Sequence, residues 1–70
     1  MVNEGSFLKN FGKRMQKMRK DKGLTQDDIA METGIARNFI SQIENGHANP
    51  SVYTVNRILN HLGKKWKDLD

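Results

Sequence analysis

Apolar residues in this chain recur at spacings of three and four, and no window alternates with period two over the length of a strand. That periodicity restricts the chain to an all-α fold, and glycines at 23, 34, 46 and 63 cut it into short pieces. On a helical wheel Phe7, Leu8, Phe11, Met15 and Met18 fall within an arc of about 100°, the width of a core-facing stripe. They define a first helix ending near Gly23. Thr25 followed by Asp28 forms a capping box with Asp in place of Glu, so a second helix starts there and runs to Thr33, with Ile29 and Ala30 inward, until Gly34 stops it. A third runs from Ala36 to about Asn45, with Ala36, Ile40 and Ile43 on its inner face and Gly46 as its C-cap glycine. Val52, Val55, Ile58, Leu59 and Leu62 mark a fourth, opened by Asn49-Pro50-Ser51 and closed by Gly63. Lys64 to Leu69 supplies one or two further turns holding Trp66 and Leu69. The expectation is a compact bundle of five short helices.

Seventy residues, 36% of them hydrophobic, make one domain at most, spanning 1–70 with a flexible stretch at 1–5. The chain contains no cysteine, which excludes disulfide scaffolds and thiolate zinc sites. It has no signal-peptide pattern at its start and no stretch approaching the ~20 apolar residues of a membrane span, and it reads as soluble and cytoplasmic. Two histidines fourteen positions apart, with no metal-ligand company and no nucleophile–base pair, argue against an enzyme. No metal, cofactor or small-molecule ligand is expected. The formal charge of +4 instead points to a polyanionic partner. Its sources are uneven: residues 9–22 carry seven Lys or Arg against Asp21 alone, whereas residues 23–63 are net acidic.

The informative stretch is Gln26 to Glu44. Ala30 is small where another helix must approach, Gly34 falls where two short helices need a tight turn at positive φ, and Ile40 and Ile43 follow at offsets that bury the second helix on the first. This is the pattern of a helix-turn-helix formed by helices two and three. The sequence resembles the phage-repressor and Cro-like family, the lambda repressor-like or Xre-type regulators. The resemblance is carried by Leu24-Thr25-Gln26, Ile29-Ala30, Gly34-Ile35, Ile40-Ser41, Ile43-Glu44, Asn45-Gly46, Pro50-Ser51 and Leu62-Gly63, and spans roughly residues 7–69. Restriction-modification controller proteins in that family often carry Arg-Thr-Tyr-Ile-Ser where this chain has Arg37-Asn38-Phe39-Ile40-Ser41.

Opposite Ile40 and Ile43, the wheel gathers Arg37, Asn38, Ser41, Gln42 and Asn45 into one polar arc of about 140° that holds no acidic residue. A face made only to be solvated normally mixes Lys and Glu, whereas Arg, Asn and Gln make bidentate bonds to guanine and adenine edges. The resemblance implies that this is a recognition helix, so Arg37, Asn38, Ser41 and Gln42 are expected to read bases, Arg37 foremost. Backbone or groove contacts are expected from Thr25, Gln26, Asn45, His47 and Asn49. Phe39 joins them, packing at the core rim or touching a thymine methyl; it lacks the tyrosine hydroxyl of the controller proteins. For His47 the competing reading is a plain exposed loop residue, and His61 is read as a helix-surface residue. Ala30, Gly34, Ile40 and Ile43 are structural. Arg19 and Glu44 resemble a family ion pair between helices one and three, with an orienting role. Lys9, Lys13, Lys17 and Lys20, within about 80° on the first helix, read as a solvated face that adds to the long-range field.

The expected function is sequence-specific binding of double-stranded DNA by a transcription regulator, a repressor in the resembled family. A recognition helix of about nine residues is ~13 Å long and reaches some four or five base pairs, too few to select a site in a genome. A homodimer on an inverted repeat is therefore expected, and two routes to it stand: pairing through helix four and the terminal turns with Leu62, Trp66 or Leu69, or membership, as the DNA-binding part, of a longer repressor. The competing reading is an antitoxin or protein-bridging module of the same fold. It needs a partner-binding segment, for which the helical pattern leaves only Met1 to Ser6 and the last few residues.

Overall fold

The computed structural model describes residues 4–69. Those residues form four α-helices and one closing 3-10 turn, with no strand: α1 Glu4–Asp21, α2 Gln26–Thr33, α3 Arg37–Glu44, α4 Val52–Leu62, then Trp66–Leu69. The expected fifth helix is that single turn, tied at its start by the Lys65 N–H donating to Asp68 Oδ2 at 2.8 Å. Of the stretch 1–5 expected to be flexible, Glu4 and Gly5 belong to α1, whose N-terminal end favours an acidic residue such as Glu4. Residues 1–3 lie outside the described residues.

One buried cluster holds the helices together: Met15, Met18, Ile29, Ile40, Ile43, Val55, Ile58, Leu59 and Leu62. α1 packs on α3, α2 on both α3 and α4, and α1 also meets the closing turn. Leu24, Ala30, Ile35, Phe39 and Leu69 pack against the cluster from partly buried positions.

Three residues expected inside lie outside. Phe7 is 60% and Val52 73% exposed. They line the same groove, over Leu8, Phe11 and Val55, with Trp66 alongside. The start of α1 and the start of α4 leave that groove unfilled, and Phe7 stacks on Phe11 instead, ring centroids 6.4 Å apart. Ala36 is the third: it is the N-cap of α3, its φ/ψ of −59°/134° already outside the helix, so the wheel that placed it inward does not apply to it. Leu62 departs the other way. At 1% exposure it is spent in the core of its own chain and offers no surface to a second copy.

Candidate functional site

The start of α2 is fixed by the expected capping box. The Asp28 N–H donates to Thr25 Oγ1 at 3.0 Å and the Thr25 N–H donates to Asp28 Oδ2 at 2.8 Å. Accepting from Thr25 holds the Asp28 carboxyl below the usual carboxylate range. The helix ends at Gly34, whose φ of 76° only a glycine adopts freely, its N–H reaching Ala30 O at 2.9 Å. Thr33, buried, donates its hydroxyl to Ile29 O at 2.7 Å and accepts the Ile35 N–H at 3.2 Å. The Arg57 guanidinium, reaching over from α4, donates to the Thr33 carbonyl. Gly34 and Ile35 of the turn are thus bonded back to α2, beside the carbonyl that Arg57 holds.

The other end of α3 is anchored on α1. Arg19 grips Glu44 with two bonds, Nε to Oε2 at 2.7 Å and Nη2 to Oε1 at 3.0 Å, while its Nη1 donates to Leu24 O at 2.7 Å. Both residues are buried, at 8% and 7% exposure. The Glu44 hydrogen bond, aided by its charge, holds the Arg19 pKa above the ordinary guanidinium value against the opposing effect of burial. Gln26 completes the group, its Nε2 donating to Glu44 Oε1 at 3.1 Å. One carboxylate therefore ties together α1, the first residue of α2 and the last of α3.

Gly12 makes this approach possible. A Cβ there would sit 2.3 Å from the Ile43 carbonyl oxygen and 2.6 Å from that of Glu44, so the backbone of α1 lies directly on the end of α3. Sequence reading missed Gly12; the available signal was a glycine inside an unbroken helical period, which points to a close contact. It also missed Arg57 and the Gln26–Glu44 bond.

With Glu44 turned inward, α3 presents no carboxylate to solvent. Arg37, Asn38, Gln42 and Asn45 are exposed and Ser41 is half-buried. Gln26, Arg37, Asn38 and Ser41 line one open depression, which brings the first residue of α2 beside the outward face of α3. Thr25, His47 and Asn49 are exposed around it in sequence; Phe39 is half-buried against the core. Asn45 Nδ2 lies 3.5 Å from Ser41 Oγ. Asp27, which the sequence reading counted only as background charge, places its Oδ1 3.2 Å from Arg37 Nε. Lys9, Lys13, Lys17 and Lys20 are exposed on α1, Lys17 paired with Asp21 at 3.2 Å, and His61 is exposed on α4.

Among the described residues no group of three or more His, Asp or Glu is placed to hold a metal ion, and no helix is long and apolar enough to cross a membrane. What the fold does offer is a short polar helix pushed outward on a braced turn. Residues 12–69 match the family model of the helix-turn-helix domain, and the chain belongs to that family. Among its relatives is the HTH-type transcriptional regulator y4dJ of Sinorhizobium fredii, 33% identical over 52 residues that cover 74% of this chain and 68% of that protein. The crystal structure of the restriction-modification controller protein C.AhdI from Aeromonas hydrophila superposes with a TM-score of 0.88 at 28% identity, covering 93% of this chain and 98% of that one. The tetramer of the controller protein C.Esp1396I in complex with its 35-base-pair operator gives a TM-score of 0.80 at 27% identity, over 89% and 82% of the two chains. The resemblance to phage-repressor-like regulators and controller proteins read from the sequence therefore holds.

Proposed function

We propose that this chain is a sequence-specific double-stranded DNA-binding transcription regulator whose helix-turn-helix is α2, the Gly34 turn and α3, with α3 entering the major groove. The observation that carries the reading is the outward side of α3: Arg37, Asn38, Gln42 and the C-cap Asn45 are exposed, Ser41 is half-exposed among them, and the helix's only acid, Glu44, is sequestered by Arg19. Such a face suits hydrogen-bonding base edges beside phosphates. The controller protein of this fold that is held as a tetramer on its operator supports duplex DNA as the partner.

In this reading Arg37, Asn38, Ser41 and Gln42 address bases, with Arg37 reaching O6 and N7 of a guanine. Gln26 addresses the sugar-phosphate chain: Glu44 takes one of its two amide hydrogens, and the second remains for a phosphate oxygen. Thr25, Asn45, His47 and Asn49 flank that contact, with Phe39 at the groove edge. α3 has eight residues, about 12 Å of helix, and reaches about four base pairs. Selectivity in a genome then requires two copies on an inverted repeat. Trp66, 44% exposed, is the large apolar side chain that the closing turn leaves open to such a dimer.

Titration of duplex DNA at several salt concentrations tests the reading. With some four to eight phosphates neutralised per dimer, log K falls against log salt with a slope of roughly −4 to −7. A slope near zero refutes it.

A further inference from the structure

Arg37 does not stand alone at the head of α3. Its Nε lies 3.2 Å from Asp27 Oδ1, and both side chains are about two-thirds exposed, at 64% and 67%. An ion pair so open adds next to nothing to folding, which leaves its geometry to be explained. The two partners differ in freedom. Asp27 has a short side chain on the first turn of α2, and its neighbours on both sides are tied: Gln26 to Glu44, Asp28 in the capping box with Thr25. Arg37 is long and begins α3, where its neighbour Ala36 makes no side-chain cap bond. The carboxylate, short and carried between two tied residues, has fewer positions to occupy than the guanidinium it faces. The contact is one of charge, closest at Nε and without the geometry of a hydrogen bond, so the N–H donors of the guanidinium, Nη1 and Nη2 among them, stay available to two acceptors on a guanine.

We propose that Asp27 is a positioning residue that sets base specificity: its charge beside Nε biases the Arg37 side chain so that Nη1 and Nη2 are presented together to O6 and N7 of one guanine. The proposal rests on the reading of α3 as the recognition helix. The same carboxylate acts against binding elsewhere. Where Arg37 finds no guanine, Asp27 remains a negative charge close to DNA phosphates, and every non-cognate duplex is penalised. Specificity is a difference between affinities, and Asp27 widens it from both sides. Exclusion of water at the cognate interface strengthens the Asp27–Arg37 attraction where it is needed.

The test uses the full chain and an operator selected from a random DNA pool. Parent, Asp27→Asn, Asp27→Ala, Arg37→Ala and the Asp27→Asn/Arg37→Ala double variant are titrated at one salt concentration. The duplexes are the operator, the operator with the guanine pair read by Arg37 replaced by A·T, and an unrelated sequence. That pair is the one whose preference Arg37→Ala relaxes. Thermal unfolding verifies that the variants fold, as expected for exposed positions. Expected for Asp27→Asn and Asp27→Ala is tighter binding of the unrelated duplex and a loss of about threefold or more in guanine discrimination, a part of what a bidentate contact supplies. In the Arg37→Ala background the same change leaves discrimination untouched. Discrimination that survives both Asp27 changes, or rises with them, overturns the proposal while leaving the recognition helix standing. An equal loss in the Arg37→Ala background also overturns it. A parent with no base preference overturns this proposal and the functional reading together.

Discussion

The two faces of α3 are both polar in part, yet their polar atoms have different fates. On the inner side Glu44 takes three N–H bonds, two from Arg19 and one from Gln26, and the Ile43 and Glu44 carbonyls lie against the backbone of α1 at Gly12. Among the described residues no buried side-chain nitrogen or oxygen lacks a hydrogen-bond partner. On the outer side Arg37, Asn38 and Gln42 are left to solvent, with Asp27 the acid at hand. A saturated face reports changes as stability. An unsaturated face folds regardless and reports them as binding.

The comparison breaks first, if it breaks, at Arg19. Arg19→Ala leaves Glu44 buried with only Gln26 to bond it, and is expected to cost about 3–5 kcal/mol in urea denaturation. Arg19→Met with Glu44→Leu removes both charges and should recover most of that loss, because a buried ion pair is costly to halve but not to replace. A loss below about 1 kcal/mol for the single change is the behaviour of an exposed pair and removes the saturated face. Gly12→Ala comes next. The clash is with backbone carbonyls that no rotamer change relieves, so overpacking of ~3 kcal/mol outweighs the ~1 kcal/mol that alanine gains in a helix. The net loss, about 2 kcal/mol, is read from the same denaturation curves.

The saturated face was half legible in the sequence, and the open face was legible as a polar arc on the wheel without its neighbours. Local signals were strong: Thr25 with Asp28 marked the start of α2, Gly34 and Gly63 marked the ends of α2 and α4, and the family resemblance paired Glu44 with Arg19. Distances across the fold were not. Gly12 is distinguished only by what faces it, and the Arg57 bond to Thr33 and the Gln26 bond to Glu44 join residues 24 and 18 positions apart. Periodicity also assumes that a stripe is covered along its whole length, which is why it placed Phe7 and Val52 inside. The pairing of Asp27 with Arg37 escaped because the two residues lie on different helices, and only the turn between α2 and α3 sets them 3.2 Å apart.

On the open face the change should appear in DNA titrations and hardly in denaturation. Arg37→Ala is expected to cost about 1–3 kcal/mol per half-site on the preferred operator, relaxing one base pair while unrelated duplexes lose only the effect of a charge. Gln26 sits on the border between the two faces. Gln26→Ala should weaken all duplexes together and also lower stability by about 1 kcal/mol, since its bond to Glu44 goes with it. If Arg37→Ala weakens every duplex equally, α3 only positions the protein on DNA.

The smallest effect sharpens the comparison through pH, at the first turn of α2 where the two faces meet. The Asp28 carboxyl is held below its ordinary value mainly by the Thr25 backbone N–H. A group whose folded value is depressed contributes its stabilisation in full above the unfolded carboxylate value, near 4, and loses it as pH falls through the lower folded value. Thermal midpoints of the parent should therefore decline on acidification below about pH 4, and Asp28→Asn should show a shallower decline, because the amide oxygen still accepts from Thr25 but no longer titrates. Thr25→Ala removes the reciprocal bond and should cost about 1 kcal/mol at neutral pH, the usual worth of an N-cap. If Asp28→Asn follows the parent's acid decline without change, the box does not hold the first turn of α2. Asp27 and Gln26 then lack the rigid base from which one positions Arg37 and the other meets the phosphate chain.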